Sequence, residues 1–594
     1  MPTWQQLRDL KITEYEDAAD GWSNVSNRSD ASRVRVDQEM SIPVRSTQKG
    51  ETPDAAVGRL NRLRDNYQYL HSECGLIRST LNALATELAA PQRKLKQALE
   101  DAEALGFTVD SDGSVTYPDP VPLVGGTGKA TPGAEVPFLP GKGEGQGNEN
   151  KAKAEDIAER VSAAVSDATE IDSRYAGVLR RLKAPEGLAV TKEMLADSGQ
   201  DMRAVQKAAG DVFAKGDIPH GKSPADNKAW WDHLTQEQRD EYMTLYPAQV
   251  GALDGIPSVV RDTSNRRVLA QTMARTQLEL DQLPENPPQF IMKGDPPSSV
   301  VNPAWQKWVP LHDRMTGMQA IQSRLDKSGL HEKDGQGGTQ AGLPQAYLLG
   351  FSTEGDGRAI VATGNPDTAD NTAVYVPGTG ASLANAHGDI GRMSDLWRAA
   401  NTASPGQTTS TITWIGYDAP DQIPNAAARH YAYDGAPALN SFLDGLQTVQ
   451  GGPDSSHTTI VGHSYGTTTV GAAAKMPGHI AADDMVVAGS PGMLVSDASQ
   501  LDVGSDHVWS EAARNDPVPL LGQEALGGRK LGVSTWHGIP YNAGEIISIP
   551  SDESFGAHRM DVDTSGHSGY WDTGSVSLNN QAAVVVGKYG NVKE

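Results

Sequence analysis

Residues 458–475 read TTIVGHSYGTTTVGAAAK, and this stretch decides how the C-terminal part of the chain folds. The apolar and β-branched residues 458–461 predict a buried strand, and the small residues 467–475 predict a helix. The turn between them has the pattern Gly462-x-Ser464-x-Gly466. A tight strand-to-helix turn has little room for β carbons on either side of its centre, and it exposes the central side chain. The pattern therefore predicts that Ser464 is a nucleophile at the end of a strand.

Further strand patterns fill residues 341–594. A hairpin is predicted from AYLLGFS (346–352) and RAIVAT (358–363), and later strands from AVYVPGTG (373–380), TITWIG (411–416), HTTIVG (457–462), DMVVAGS (484–490) and HVWSEAA (507–513). Helical patterns separate the later strands. Such alternation is typical of a mostly parallel sheet with helices on both faces and active residues beyond the carboxyl ends of its strands. We expect an α/β fold here, preceded by an all-α N-terminal half.

A serine hydroxyl needs an imidazole to remove its proton and a carboxylate to orient that imidazole. In folds with this turn the acid follows a later strand and the histidine comes last. Asp516 follows the predicted strand 507–513, and His567 lies in the C-terminal loop, so these two residues are the candidates. The alternatives are Asp484, Asp502 and Asp506 for the acid and His537 and His558 for the base. Asp484 stands at a strand start, which is the opposite edge of the sheet.

An oxyanion hole needs two N–H donors near the nucleophile. The N–H of Tyr465 is one candidate, and the loop after the third strand offers Thr379 as the other, although its sequence is also that of a plain turn. His463 is predicted to be packed. Trp414, Tyr417 and Asp418 close the fourth strand at the same edge of the sheet as Ser464. They are candidates for the substrate pocket, with core packing for Trp414 and a turn for Asp418 as the alternatives.

Several of these segments together resemble a known family. They are VYVPGTG (374–380), TWIGYDAP (413–420), IVGHSYGTTTVGAAAK (460–475), VVAGSPGM (486–493), NDPVP (515–519) and GHSGY (566–570). They resemble the actinobacterial alpha/beta hydrolases grouped as a domain of unknown function, and residues 229–266 resemble the helical segment that precedes that domain. The resemblance implies a serine hydrolase with Ser464, Asp516 and His567 as its triad. By analogy with the fold, esters and thioesters are favoured as substrates over amides.

The N-terminal part shows helical periodicity. A heptad pattern is formed by Leu63, Tyr67, Leu70, Cys74, Ile77, Leu81, Leu84 and Leu88, and a partner stripe by Trp4, Leu7, Tyr15, Ala18, Trp22 and Val25. The lone cysteine, Cys74, is expected to be a buried apolar residue. We predict a helical hairpin or coiled-coil-like domain at 1–106, a Gly/Pro-rich linker with a small hairpin at 107–150, a helical region and connection at 151–340, and the α/β domain at 341–594. Ser223 and Thr235 are predicted to cap two helices of the third segment.

Composition limits the function classes. The net charge of −24 argues against a nucleic-acid partner, because phosphate backbones are bound by clustered cations. A single cysteine and the lack of a metal-ligand motif favour no metal and no cofactor. No stretch has the apolar length of a membrane span, and the first residues do not have the pattern of a secretory leader. These observations favour a cytoplasmic protein, and the resemblance to the hydrolases implies a small-molecule acyl substrate.

The N-terminal hairpin is loosely similar to the small helical proteins of the WXG type, which travel through type VII secretion. Trp22-Ser23-Asn24 stands where those proteins have Trp-x-Gly. This similarity motivates a second hypothesis, in which the helical half binds a protein partner or a secretion apparatus and the hydrolase fold is inactive. The corresponding alternative location is extracellular, by a route that needs no signal peptide.

Overall fold

The computed structural model describes residues 3–47, 51–118, 127–133, 149–183, 189–210, 212–329, 342–478, 480–536 and 539–594. The chain divides into two compact units. The first comprises Met1–Ser32, Asn66–Val190 and Asp197–Asp217, and the second comprises Arg33–Asp65, Thr191–Ala196 and Ile218–Glu594.

The helices are α1 (Trp4–Asp9), α2 (Thr13–Arg35), α3 (Ile42–Thr47), α4 (Glu51–Ala104), α5 (Glu149–Arg181), α6 (Lys192–Ala209), α7 (Pro224–His233), α8 (Gln236–Leu245), α9 (Pro247–Gly251), α10 (Ser258–Leu280), α11 (Pro303–Asp326), α12 (Ala386–Ala403), α13 (His430–Gln450), α14 (Tyr465–Ala474), α15 (Val518–Leu526) and α16 (Val576–Val585). A π-helix, Val36–Ser41, continues α2. The strands are β1 (Thr108–Val109), β2 (Val115–Pro118), β3 (Thr127–Ala130), β4 (Phe290–Lys293), β5 (Ser298–Val301), β6 (Ala346–Ser352), β7 (Arg358–Thr363), β8 (Asn371–Val376), β9 (Thr409–Ile415), β10 (His457–His463), β11 (Asp484–Ala488), β12 (Val508–Glu511), β13 (Gly528–Trp536), β14 (Ile539–Ser548) and β15 (His558–Arg559).

In the first unit, the buried residues of α2 differ from the predicted stripe. Trp22 and Val25 are 39% and 43% exposed, whereas Ser26 and Ser29 are buried. The Ser26 hydroxyl donates to the carbonyl oxygen of His71 on α4 over 2.9 Å. The prediction was therefore wrong at Ala18, Trp22 and Val25, which are all exposed, because the face of α2 that is buried here carries the small residues Ser26 and Ser29.

Three other expectations for the helices are confirmed, whereas Leu63 of the predicted heptad pattern is 37% exposed. Cys74 is buried. The Ser223 hydroxyl accepts a hydrogen bond from the N–H of Asp226 at the start of α7, and Thr235 and Gln238 form a capping box at the start of α8. Among the described residues, no helix combines the length and the hydropathy that crossing a bilayer requires.

The predicted linker, residues 107–150, is described only in part. Strands β1 and β2 pair antiparallel around residues 110–114, with Thr108 opposite Thr116, and β3 pairs antiparallel with β2. Residues 119–126 and 134–148 of the predicted linker lie outside the described residues. The boundaries at 106, 150 and 340 stay predictions.

The second unit contains an eight-stranded sheet in the order β15-β12-β11-β10-β8-β9-β7-β6. The neighbours from β15 to β9 pair in parallel, whereas β7 pairs antiparallel with both β6 and β9. Because β10 and β8 are parallel neighbours, their carboxyl ends bring the segments after residues 463 and 376 to one edge of the sheet.

The two faces of this sheet carry separate apolar cores. Val374 of β8 and Ile460 of β10 pack in the core that includes α13 and α14, while their neighbours Tyr375 and Val461 pack in the core that includes α12 and α16. Adjacent strand residues point to opposite faces, so the near-continuous apolar strands are buried on both sides. The predicted fold class, a mostly parallel sheet covered by helices on both faces after a helical N-terminal half, is confirmed.

Candidate active site

Ser464 occupies the strand-to-helix turn between β10 and α14 in a backbone conformation that few residues adopt. Its φ is +53° and its ψ is −131°. Among the described residues, only two others that are not glycine, Asn286 and Leu494, have positive φ. The turn packs so closely on β8 that a β carbon at Gly466 would lie 2.1 Å from the Val376 carbonyl oxygen. Strain of this kind persists only where the surrounding packing enforces it, so the Ser464 conformation is a built feature of the fold.

Asp516 and His567 form a hydrogen-bonded pair at the same edge of the sheet. The Nδ1 of His567 lies 2.9 Å and 2.8 Å from the two carboxylate oxygens of Asp516. The Asp516 side chain has no exposed surface, whereas the His567 side chain is 27% exposed. A buried carboxylate that accepts from Nδ1 leaves the proton-accepting position of a neutral imidazole at Nε2.

The Asp516 carboxylate has two further donors. The Tyr570 hydroxyl donates to Oδ2 over 2.6 Å, and the Val518 N–H donates to Oδ1 over 2.9 Å. Burial raises the pKa of Asp516, but the hydrogen bonds from His567, Tyr570 and Val518 outweigh it and hold the pKa below its usual value. Asp516 is therefore ionised at neutral pH.

His463, which precedes Ser464 in the chain, contacts His567. Its Nε2 lies 2.8 Å from the carbonyl oxygen of His567, and the two rings are 4.6 Å apart. Burial, together with the nearby Arg392 guanidinium, lowers the pKa of His463 to about 3. A neutral His463 that donates from Nε2 fixes the backbone of His567, and the prediction that His463 is packed is confirmed.

Two N–H groups lie beside the Ser464 turn. Within the described ranges, the N–H groups of Thr379 and Tyr465 donate to no backbone carbonyl. The loop that carries Thr379 touches the turn, since a β carbon at Gly378 would lie 2.7 Å from both the Ser464 Cβ and the Tyr465 nitrogen. Tyr465 is the first residue of α14 and Thr379 lies in the loop after β8. N–H donors that are free of backbone partners beside a hydroxyl are suited to hold negative charge.

A cavity of about 590 Å³ opens over these groups. Its lining includes Ser464, His567, Thr379 and Tyr465, together with His463. It is more apolar than polar, with side chains from α15 and from the segment before α13. The structure thus places four of the predicted site residues around one cavity and Asp516 behind His567.

Comparison with known proteins assigns this domain. A sequence profile of the alpha/beta hydrolase family matches residues 353–524, and the uncharacterized protein Mb0988c of Mycobacterium bovis is 30% identical over 190 residues, which are 30% of this chain and 70% of that protein. The chain belongs to the alpha/beta hydrolase family. The uncharacterized protein Rv2079 of Mycobacterium tuberculosis is 28% identical over 403 residues, which are 62% of this chain and 56% of that protein. The chain thus spans about half the length of that relative.

The alternative acids lie elsewhere in the alpha/beta hydrolase domain. Asp484 is buried at the start of β11, where its carboxylate lies 2.7 Å from Nε2 of His457 and accepts from Tyr589. This is the amino edge of the parallel strands, as its position in the sequence predicted. Asp502 accepts from the N–H of Ile480, and Asp506 is exposed in a short helix before β12.

Of the two alternative bases, the structure describes only His558. His558 stacks on Trp509 with ring centroids 4.3 Å apart, and its Nδ1 lies 2.8 Å from Glu594. It does not line the Ser464 cavity. His537 lies outside the described residues.

The structure does not bring the three predicted pocket residues to this cavity. Trp414 and Tyr417 are 1% and 3% exposed and pack in the apolar core. Trp414 lies on β9, which is buried on both faces, and Tyr417 follows that strand. Tyr417 instead donates its hydroxyl to the Pro377 carbonyl over 2.8 Å and so supports the loop that carries Thr379 from behind. Asp418 is exposed near the β6–β7 turn, where a β carbon at Gly355 would lie 3.1 Å from its Oδ1.

Sequence reasoning assigned no role to Tyr570 and Gly489 of the alpha/beta hydrolase domain. Tyr570 lies three residues after His567, and Gly489 follows the carboxyl end of β11. The rule that located Asp516, which looks for residues just beyond strand ends, would also have selected Gly489.

Within the described ranges, no group of three His, Cys, Asp or Glu side chains could hold a metal ion.

Proposed function

We propose that this protein is a serine hydrolase that cleaves an acyl ester or thioester through an acyl-enzyme intermediate. Ser464 is the nucleophile, His567 the general base and then acid, and Asp516 the carboxylate that orients His567. The observation that carries the proposal is the hydrogen bond of 2.8 Å between Asp516 and His567, because His567 and Ser464 line the same cavity. Chain order, with the acid and then the histidine after the serine, agrees with the same assignment.

In the proposed first step, Oγ of Ser464 attacks the acyl carbonyl carbon while its proton passes to Nε2 of His567. The imidazolium that forms is stabilised by the ionised Asp516. The carbonyl oxygen becomes negative and is bound by the N–H groups of Tyr465 and Thr379, where each donor is worth about 100- to 1,000-fold in kcat.

When the tetrahedral intermediate collapses, the bond to the alcohol or thiol breaks and His567 gives its proton to that leaving group. Water then attacks the acyl-enzyme, again with His567 as base, and releases the carboxylic acid and free Ser464. His463 and Tyr570 act through His567 and Asp516 and are positioning residues in this scheme.

Hydrolysis of p-nitrophenyl acetate and of acetyl thiocholine tests the proposal. We expect Ser464→Ala and His567→Ala each to lower kcat by about 10⁴-fold or more, because triad members act as a unit. His558→Ala is the matched control, since His558 is partly exposed and lies outside the cavity. Its kcat should equal that of the unmodified protein within twofold.

Equal activity of the unmodified protein and Ser464→Ala would contradict the proposal. Absence of activity on every ester and thioester from folded protein would favour the interaction hypothesis for the helical half.

A further inference from the structure

We propose that the cavity of this protein binds an unbranched acyl chain of medium length between α15 and residues 423–427, so that the enzyme prefers medium-chain acyl esters to acetyl esters. This inference rests on the proposed hydrolase function and adds a substrate class to it. It is carried by apolar side chains that line the cavity and remain in water.

One face of α15 lines the cavity. Val518, Leu521, Gly522 and Ala525 all belong to the lining, and their spacing of three, one and three residues places them on the same side of the helix. None of them is polar. Gly522 lets α15 approach closely, since a β carbon there would lie 2.3 Å from the Cβ of Pro491, which also lines the cavity.

Residues 423–427, which end in the short helical turn Asn425–Ala427 before α13, form a second apolar wall. Its lining residues are Ile423, Ala426 and Ala427. The Nε of Arg429 donates to the carbonyl oxygen of Ala525 over 2.8 Å, which fixes this segment to the last turn of α15. The two walls are therefore held together by a hydrogen bond at one end.

Each wall leaves one large apolar side chain in water, although Leu526 at the end of α15 is buried. Leu521 is 72% exposed and Ile423 is 76% exposed. Apolar surface grouped at a concave site is characteristic of a binding site, because water leaves it when an apolar ligand enters. An alkyl chain lying between the walls would cover both residues.

The apolar walls begin at the reacting groups. Pro517 and Val518 follow Asp516 directly, and the Val518 N–H is bonded to the Asp516 carboxylate. A chain that lies along α15 therefore has its carboxyl end near the Asp516–His567 pair.

The charged side chains of the lining, apart from its histidines, come from α12. They are Asp389 and Arg392, whose carboxylate and guanidinium are 3.0 Å apart. The α15 face and the 423–427 segment contribute no charge to the lining, so an uncharged alkyl chain suits them and the alcohol or thiol part suits the α12 side. Because one side of the cavity is apolar and the other is charged, the ester has one favoured orientation, with its acyl chain along α15.

The test compares p-nitrophenyl esters of acetate, butyrate, hexanoate and octanoate. Each buried methylene contributes roughly a threefold to fourfold gain. We therefore expect kcat/KM to rise with chain length and to be at least about tenfold higher for octanoate than for acetate. Monomeric substrate concentrations keep micelle effects out of the comparison.

Two variants of α15 form a matched pair. Leu521→Ser should lower the ratio of kcat/KM for octanoate to that for acetate by at least about fivefold, because the contacts that it removes are contacts with the longer chain. Leu520→Ser is the control: Leu520 is 70% exposed on the same helix but does not line the cavity. The inference would be overturned if kcat/KM did not change with chain length, or if both variants lowered the octanoate-to-acetate ratio equally. Cleavage of acetate would still support the proposed function in that case.

Calorimetric titration of Ser464→Ala protein with octanoate and with acetate tests the inference by binding alone, without catalytic turnover. We expect saturable octanoate binding that is weakened at least about fivefold when Leu521→Ser is added, and no measurable acetate binding. If no ester is cleaved, this result still supports the acyl-chain site and only the hydrolase function fails. Octanoate binding that is undetectable, or insensitive to Leu521→Ser, would overturn the inference.

Discussion

Gly489 lies against the carboxylate of Asp516. A β carbon at Gly489 would be 2.6 Å from Oδ2 of Asp516, closer than real β carbons approach such an atom. The glycine follows β11 and has a φ of +59°, so both space and backbone conformation restrict this position to glycine. The same added carbon would lie 3.0 Å from Cε1 of His567. Gly489 therefore sets the position of the whole acid–histidine pair.

Gly489→Ala should reduce activity far more than it reduces stability. Displacing Asp516 and His567 by a fraction of an ångström misaligns the base, and a shift of about 1 Å can cost about 100-fold in rate. We expect kcat on p-nitrophenyl acetate to fall by about that factor. Gly504→Ala is the matched control, because Gly504 has a φ of +84° and open space around its missing side chain. Equal activity of the two variants would show that Gly489 does not position the pair.

Tyr570→Phe should shift the pH dependence of activity. The phenol donates to Oδ2 of Asp516 over 2.6 Å, and hydrogen bonds to a carboxylate lower its pKa. Without this donor the pKa of Asp516 rises, so the activity lost on acidification is lost at a higher pH. The measurement is kcat/KM of both proteins from pH 4 to 9. At neutral pH we expect kcat/KM of the variant to be about tenfold lower than that of the unmodified protein. An acidic limb that coincides with that of the unmodified protein would contradict the assigned contact.

Glu511 should make the stability of the second unit depend on pH. Burial raises its pKa to about 8, although Ser577 and Gln581 donate to its carboxylate and lower the pKa in part. The folded state therefore keeps a proton that the unfolded chain has lost. This contribution to stability is complete below the usual glutamate pKa and is lost as the pH rises through about 8.

Glu511→Gln removes that titration. Relative to the unmodified protein, the variant should gain on the order of a few kcal/mol between pH 5 and pH 8.5, seen as a Tm difference that grows with pH. Glu553→Gln, at an exposed position, is the control and should show no such trend. A Tm difference that is constant with pH would contradict a protonated Glu511.

Much of the α/β domain could be predicted from sequence because its signals are local. The strand before Ser464, the small residues after it and the order of the later acid and histidine all lie in short segments that can be recognised without tertiary structure. The carboxyl ends of parallel strands meet at one edge, so residues just beyond those ends were expected to be close. His567 and Asp516 indeed form a hydrogen-bonded pair.

What sequence did not predict depends on contacts between distant segments. The hydrogen bond from Tyr570 to Asp516 joins residues 54 apart, and nothing in the neighbourhood of either residue specifies it. Trp414 was a pocket candidate because it ends a strand, yet β9 is buried on both faces and holds the indole in the core. In the helical half, apolar periodicity selected Trp22, but a hydrogen bond from Ser26 makes the contact with α4.

The central claim is that Ser464 is an activated nucleophile, and covalent labelling with a fluorophosphonate tests it most directly. The unmodified protein, Ser464→Ala, His567→Ala and the control His558→Ala would be treated in parallel and the modified peptide located by mass spectrometry. We predict one modified residue, Ser464, in the unmodified protein and in His558→Ala, and no labelling in Ser464→Ala or His567→Ala. Folded protein that stays unlabelled, or labelling that persists in Ser464→Ala, would contradict the account.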